Sequence, residues 1–252
     1  MSNIPEEIYD EYSRNLTVPS YDVGPGDTLK PGSALRLAQE TSEQHLGRLG
    51  VGYEELRAKT GLVFFIVSST AWISRFPARG ERIRISTRPR GQRRAEYYRD
   101  FRFFGAGDEL LLRVMQVTVL ADARTHRVTR VRNMEGFGAK AVMPVDPSEI
   151  VERLSIPEGL PPLGERRVFH SDLDANGHMN NAVYGDVVWD FLPPGARRAA
   201  KGIRIDYRGE TAEGDALRVF GGARDGAFYL RGENANGLSF CGSVQLLIQG
   251  KA

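Results

Sequence analysis

Alternation of apolar and polar side chains with a period of two residues constrains the fold of this chain more than any other feature. In residues 82–90 the aliphatic side chains fall on one face and the arginines on the other, and residues 97–104 and 110–120 are also strand-like. The pattern returns at residues 203–208 and continues to residue 248, broken by Asp-Gly and Asn-Gly pairs. Because such alternation is typical of half-buried strands joined by tight turns, the sequence predicts two sets of antiparallel strands.

Two segments have helical periodicity instead. Residues 33–49 carry apolar side chains at helical spacing, and residues 180–192 do so with Asn180 or Asn181 as a candidate N-cap and two prolines directly after them. Each half of the chain thus contains a helix followed by several strands. The sequence predicts an α+β fold built from two copies of one unit, a long helix wrapped by an antiparallel β-sheet.

The boundary between the two units is indicated by composition. Residues 133–164 hold five of the 13 prolines and show no clear alternation, which is typical of a connecting segment. We therefore expect an N-terminal unit at residues 1–140, a linker at residues 141–164 and a C-terminal unit at residues 165–252.

Composition excludes several classes of protein. The longest apolar run, residues 62–67, is far too short for a membrane helix, and the acidic first residues do not resemble a secretory signal. A single cysteine, Cys241, rules out an internal disulfide framework. No histidine spacing fits a metal site and no glycine pattern completes a nucleotide-binding signature, so we expect no metal and no cofactor. These features predict a cytoplasmic protein without a membrane span.

Residues 169–190 carry the densest set of polar side chains, directly before the second helix. A carboxylate, an amide and an imidazole at even spacing share one face of an extended segment, and the start of a helix offers free backbone N–H groups. That combination suits acyl transfer, in which a carbonyl oxygen becomes an oxyanion. The polar residues are Asp172, Asp174, Asn176, His178, Asn180 and Asn181.

Two motifs resemble those of the acyl-acyl carrier protein (ACP) thioesterases, double-hotdog enzymes that release fatty acids from ACP. Residues 170–181 resemble the family signature, and residues 206–211 are similar to its second motif. The resemblance implies a tandem hotdog fold, a role in fatty acid biosynthesis and ACP as the partner. Two positions depart from the family pattern, with Thr211 in place of a cysteine and Gly209 in place of an arginine. The family's catalytic positions correspond here to Asp174, Asn176, His178 and Glu210.

The resemblance also leads to a mechanistic hypothesis. Backbone N–H groups at residues 178–182, with the Asn176 amide, would stabilise the oxyanion. Glu210 or Asp174 would activate water or attack directly, and the sequence leaves both routes open. The equivalent stretch of the first half, residues 20–32, has no histidine, so we expect one active site per chain. We expect substrate contacts from Asn180, Asn181, Trp72 and Phe64, and further tunnel walls from Leu35, Leu62, Phe65 and Phe76.

Other functions remain open at this stage. An acyl-CoA thioesterase of the same fold is the nearest alternative, and a non-catalytic acyl-binding protein is another. A hotdog dehydratase is disfavoured because His178 is followed by Met-Asn-Asn rather than Phe-Pro. The arginine-rich stretch 75–102 could dock an acidic carrier protein, whereas no motif supports a nucleic-acid partner. Monomer and homodimer are both compatible with two units in one chain.

Overall fold

The computed structural model describes residues 11–129 and 144–247. Within these ranges ten strands form one antiparallel sheet in the order β1-β3-β4-β5-β2-β7-β10-β9-β8-β6. Each half of the chain contributes five neighbouring strands, so the predicted α+β architecture with its antiparallel sheet is confirmed. The strands are β1 (Tyr12–Thr17), β2 (Leu62–Ile73), β3 (Arg82–Arg93), β4 (Glu96–Phe104), β5 (Leu110–Asp122), β6 (Pro162–Arg167), β7 (Ala200–Tyr207), β8 (Ala216–Arg224), β9 (Ala227–Asn234) and β10 (Gly237–Leu246).

The two halves join at the middle of the sheet, where β2 pairs with β7. The register sets Ser68 opposite Asp206 and Trp72 opposite Gly202. The Ser68 hydroxyl also donates to Asp206 Oδ1 across this seam at 3.0 Å. Each half alone would expose the backbone groups of a central strand, and pairing satisfies them.

Four α-helices lie in the described residues: α1 (Pro31–Arg48), α2 (Tyr53–Thr60), α3 (Val183–Asp190) and α4 (Pro194–Ala199). The first matches the helix predicted at 33–49 within two residues. The second predicted helix, 180–192, is wrong in its extent, because Asn180 Oδ1 accepts a hydrogen bond from Ala182 N and forms a turn ahead of α3. The helix of the second unit is therefore short. None of the helices in the described ranges is long and apolar enough to cross a membrane.

Helices α1 and α3 cross on one face of the sheet, where two glycines allow a close approach. Gly32 N donates to Asp186 Oδ1 at 2.9 Å. A Cβ atom on Gly185 would lie only 3.1 Å from Gly32 N, closer than side-chain carbons pack. The main apolar core lies between these helices and the sheet and includes Leu35, Val187 and Ile205.

The opposite face of the sheet is covered by the segment that follows the gap in the described residues. Val145 and Ile150 pack on side chains of β4 and β5. Glu149 forms ion pairs with Arg90 at 2.5 Å and with Arg113 at 2.9 Å. Strand β6 begins at Pro162, inside the range predicted as the linker, and the domain limits stay a prediction.

Candidate active site

The loop that precedes α3 is a tight turn built around Asp174. Asp174 N donates to His178 O at 2.8 Å, and Gly177 N donates to Asp174 O at 3.0 Å. Gly177 has a φ of 77°, a conformation that glycine adopts without strain. One carboxylate oxygen of Asp174 accepts a hydrogen bond from Asn176 N at 2.8 Å, so this side chain shapes the turn. The turn holds Asn176 and His178 side by side.

Glu210 lies on the loop between β7 and β8, next to this turn. Met179 N donates to Thr211 O at 2.8 Å, which ties the two loops together. Glu210 Oε2 lies 3.4 Å from His178 Nε2. The structure thus brings His178 and Glu210 together and has Asn176 on the same turn as His178, while one carboxylate oxygen of Asp174 is engaged in that turn.

Two side chains of the N-terminal half complete the cluster, and sequence reasoning missed both. His126 Nδ1 lies 2.8 Å from Glu210 Oε1, and the hydroxyl of Tyr53 donates to Asn176 Oδ1 at 2.6 Å. His126 follows β5 and Tyr53 begins α2, so both reach the site only after the sheet has closed across β2 and β7. In the sequence, only their residue types could have indicated a role, since a histidine and a tyrosine lie near the ends of a strand and a helix.

At residues 178–182, where the sequence predicts oxyanion donors, fewer backbone N–H groups are free than expected. The N–H groups of Met179, Asn180 and Ala182 donate to Thr211 O, Asp172 O and Asn180 Oδ1 respectively. In the described part of the chain, the N–H groups of His178 and Asn181 are the two in this stretch without a hydrogen-bond acceptor.

A buried polar cluster lies behind the turn. The Tyr207 hydroxyl donates to Asn181 O at 3.0 Å and is hydrogen-bonded with Ser69 Oγ at 3.3 Å. Burial raises the pKa of Tyr207 well above its usual range, so the phenol stays protonated and remains a donor. Thr211 is buried, and its hydroxyl is hydrogen-bonded with Tyr184 and Ser239. Thr211 is therefore a structural residue rather than a nucleophile.

Both halves of the chain match domains of a known family. Residues 9–134 match the acyl-ACP thioesterase N-terminal domain, and residues 164–235 match the acyl-ACP thioesterase C-terminal domain. The chain belongs to the acyl-ACP thioesterase family. Both halves of the sheet thus have a counterpart in the family, and the turn with Asp174, Asn176 and His178 lies in the C-terminal domain.

Individual relatives are distant in sequence. The chain is 23% identical over 226 residues to acyl-[acyl-carrier-protein] hydrolase FATB2, chloroplastic, of Cuphea viscosissima, covering 82% of this chain and 53% of the relative. It is 24% identical over 231 residues to dodecanoyl-[acyl-carrier-protein] hydrolase, chloroplastic, of Umbellularia californica, covering 82% of this chain and 58% of the relative. The chain thus spans about half the length of the curated relatives it matches.

Solved structures share the fold over nearly the whole chain. An acyl-ACP thioesterase from Bacteroides thetaiotaomicron superposes with a TM-score of 0.82 at 16% identity, covering 96% of this chain and 99% of that one. The 12:0-ACP thioesterase from Umbellularia californica gives a TM-score of 0.79 at 20% identity, covering 93% and 96%. The tandem hotdog fold is therefore confirmed.

In this acyl-ACP thioesterase family member a narrow apolar cavity of about 10 Å³, room for about one water molecule, lies between the helices and the sheet. Ser69, which is hydrogen-bonded with Tyr207, is one of its walls, so the cavity begins directly behind the polar cluster. Phe76 lines it as well and packs edge-on against Trp189 with the ring centroids 5.6 Å apart. Its other walls include Leu35, Ala71, Ile73, Leu112, Ile203 and Ile205.

Two of the predicted substrate contacts do not lie at this cavity. Trp72 is on the opposite face of the sheet, where the Arg113 guanidinium lies 5.1 Å above its ring, so the assignment of Trp72 to the tunnel is wrong. The cause is a bulge in β2 between Ile66 and Ser68, which reverses the side-chain alternation. Phe64 faces the helices but packs against Tyr97 in a separate apolar cluster.

Three other features of the chain are its cysteine, its metal-binding side chains and its arginine-rich strand. Cys241 is buried, and burial raises the pKa of its thiol, which makes it a poor nucleophile. Among the described residues, no group of three or more metal-binding side chains is arranged to hold an ion. In the arginine-rich strand β3, Arg84 already pairs with Asp108 and Arg90 with Glu149, so part of its positive charge is neutralised within the fold.

Proposed function

We propose that this chain hydrolyses fatty acyl-ACP thioesters to free fatty acid and ACP, with one active site per chain and no cofactor. The observation that carries the proposal is the position of the Glu210 carboxylate, which has one imidazole at each oxygen and lies beside the Asn176 turn. Glu210 is half exposed, so water has direct access to a candidate base. Family membership supplies the substrate class.

Asn176 is the proposed side-chain donor to the substrate carbonyl. Its Oδ1 is occupied by the Tyr53 hydroxyl, and this leaves the amide NH₂ free to point at a ligand. With the His178 N–H, it would form a pair of donors for the oxyanion of the tetrahedral intermediate. Preorganised donors of this kind are typically the largest single contribution to acyl transfer.

Glu210 is the proposed general base. It removes a proton from water, and the resulting hydroxide attacks the thioester carbon to form the tetrahedral intermediate. When the C–S bond breaks, Glu210 returns that proton to the departing sulfur, which gives a carboxylic acid and a thiol. His178 orients the carboxylate through Nε2. Asp174 is less suited to either water activation or direct attack, because one of its oxygens already holds the turn.

The acyl chain would enter the apolar cavity behind the catalytic turn, which has to widen to admit it because its walls are closely packed. Along β7 the path from Tyr207 to Ile203 measures about 13 Å at the usual rise of a strand. Tyr207 and Ser69 mark its polar start, and Phe76 marks its far end. The Asn181 carbonyl contacts Tyr207 at the start of this path, which supports a role for Asn181 at the substrate, whereas Asn180 Oδ1 is engaged with Ala182 N.

The carrier protein is proposed to approach the exposed side of Glu210. Acyl carriers are acidic, and the arginines of β3 that remain unpaired in the described structure, Arg82 and Arg88, could steer such a partner. A cytoplasmic location without nucleic-acid partners, and a monomer or homodimer, stay predictions from the sequence.

Thioester hydrolysis tests the proposal directly. The purified chain is mixed with acyl-ACP thioesters of graded chain length, and with the matching acyl-CoA thioesters, while free acid is measured. We expect release of fatty acid with a higher kcat/KM for acyl-ACP. A preference for acyl-CoA would assign the protein to the alternative carrier. No release from any thioester, with the acyl chain still bound, would favour an acyl-binding protein.

A further inference from the structure

We propose that His126, a residue of the N-terminal half, is a positioning residue that holds the Glu210 carboxylate in its reactive orientation. This inference rests on the proposed function. His126 acts through Glu210 rather than on the substrate. With it, both halves of the chain contribute side chains to the active site.

Two imidazoles lie against the Glu210 carboxylate at different distances. His126 Nδ1 lies 2.8 Å from Oε1, whereas His178 Nε2 lies 3.4 Å from Oε2. The closer contact therefore comes from the N-terminal half. With Oε1 in contact with the His126 ring, Oε2 remains for water and for His178. The ring centroids of the two histidines are 6.2 Å apart, so they flank the carboxylate rather than stack on each other.

The backbone conformation at residue 126 and the packing around its side chain fix the position of this ring. His126 has a φ of 56°, in the left-handed region that non-glycine residues seldom occupy. The turn is held by Asp122, whose Oδ1 accepts from Thr125 N at 2.7 Å and from Arg124 N at 3.1 Å. Phe65 packs edge-on against the imidazole with the centroids 5.2 Å apart. A constrained backbone and a packed ring fix the histidine before substrate arrives.

His126 limits the conformational freedom of the Glu210 side chain. Glu210 is half exposed on a loop, and a free glutamate side chain samples many rotamers. A general base misplaced by about 1 Å can lose about 10²-fold in rate. A fixed imidazole 2.8 Å from Oε1 confines the carboxylate, so His126 should affect kcat more than KM.

Three variants separate the side chain from the backbone. His126→Gly removes the imidazole and accepts the positive φ without strain. His126→Asn also tolerates the positive φ and puts an amide NH₂ close to the position of Nδ1. His170→Asn is the matched control, because His170 Nδ1 forms a surface pair with Glu213 at 3.4 Å that lies outside the proposed machinery.

The kinetic experiment measures acyl-ACP hydrolysis by each variant. We expect His126→Gly to lower kcat about tenfold to 100-fold, with KM within about twofold of wild type and an unchanged thermal midpoint. His126→Asn should recover most of that loss, and His170→Asn should match wild type. Wild-type kcat in His126→Gly, or no recovery in His126→Asn at equal stability, would overturn the proposal.

A second measurement does not depend on activity. In protein labelled with ¹⁵N-histidine, Glu210→Gln should shift the ring resonances of His126 while those of His170 stay in place. Unmoved His126 signals would overturn the pairing. If the wild-type chain fails to hydrolyse any thioester, the proposed function fails, and the labelled spectra still decide whether His126 holds Glu210.

Discussion

Phe76 occupies in the N-terminal half the position that Glu210 occupies in the C-terminal half. Leu29 N donates to Pro77 O at 2.8 Å, just as Met179 N donates to Thr211 O at 2.8 Å, and the two residues directly precede those acceptors. In the same repeat, the positions of Asp174, Asn176 and His178 are taken by Gly24, Gly26 and Thr28. The N-terminal half therefore lacks the acid, the amide and the imidazole at these positions. The ring of Phe76, which lines the apolar cavity, stands where Glu210 would be.

Replacing Phe76 is expected to change chain-length preference. Phe76→Ala removes a wall of the cavity where it meets Trp189, so the acyl path becomes deeper. We expect the preferred substrate to shift to longer acyl chains with little change in the rate on the shortest ones. The measurement is the free-acid yield across acyl-ACP thioesters of graded length.

The control for this prediction is Trp72→Ala. Trp72 is a large aromatic residue of the same region, but it lies on the other face of the sheet against Arg113. Its removal should leave the length profile unchanged. If Trp72→Ala shifted the profile and Phe76→Ala did not, the assignment of the acyl path to the helix side of the sheet would be wrong.

Loss of the Tyr53 hydroxyl should weaken catalysis without unfolding the protein. In Tyr53→Phe the Asn176 amide loses the donor that fixes its orientation, and the NH₂ group is free to turn away from the substrate. Complete loss of an oxyanion donor costs about 10²–10³-fold in rate, and we expect a smaller drop of about tenfold in kcat. Tyr21→Phe, at a largely exposed tyrosine, is the matched control and should behave as wild type. Equal kcat in the two variants would remove Tyr53 from the scheme.

The turn that carries His126 should depend on the charge of Asp122. Hydrogen bonds from the Thr125 N–H and hydroxyl and from the Arg124 N–H lower the pKa of Asp122. A lowered folded-state pKa means that the stabilisation is present above the unfolded-state pKa, about 3.9, and is lost as the pH falls through the folded-state value. Stability of the wild type should therefore decline on the acid side of pH 4 more steeply than that of Asp122→Asn.

The same substitution has a consequence at neutral pH. Asp122→Asn weakens acceptance from Thr125 and loosens the turn, so kcat should fall a few-fold while KM is retained. Urea unfolding across pH 3–7 and kinetics at pH 7 are the two measurements. Parallel pH profiles for wild type and variant would contradict this role of Asp122.

Asp206 is expected to be the most costly polar residue to remove at the seam between the halves. Its buried carboxylate accepts from Ser68 and Leu154 N and pairs with Arg204 and Arg208. Asp206→Ala would leave these groups without their anion, and loss of one partner of a buried ion pair typically costs about 3–5 kcal/mol. Urea unfolding measures the change, with the exposed Glu158→Ala as control, expected within about 0.5 kcal/mol of wild type.

The sequence predicts local features of this protein well and long-range ones poorly. Alternation over 82–90 and helical spacing over 33–49 depend on neighbouring residues, and the structure has a strand and a helix there. The position of Trp72 was mispredicted because one bulge reverses the alternation, which no composition reveals. His126 and Tyr53 were missed because their partners lie in the other half, and only pairing of β2 with β7 brings them together.

The most direct test of the account is the rate of acyl-ACP hydrolysis by Glu210→Gln. The amide preserves the shape of the side chain and removes the base, and general base catalysis typically contributes about 10²–10⁴-fold. The account predicts a loss of kcat in that range, with KM and the thermal midpoint unchanged. Hydrolysis by Glu210→Gln at the wild-type rate would contradict it.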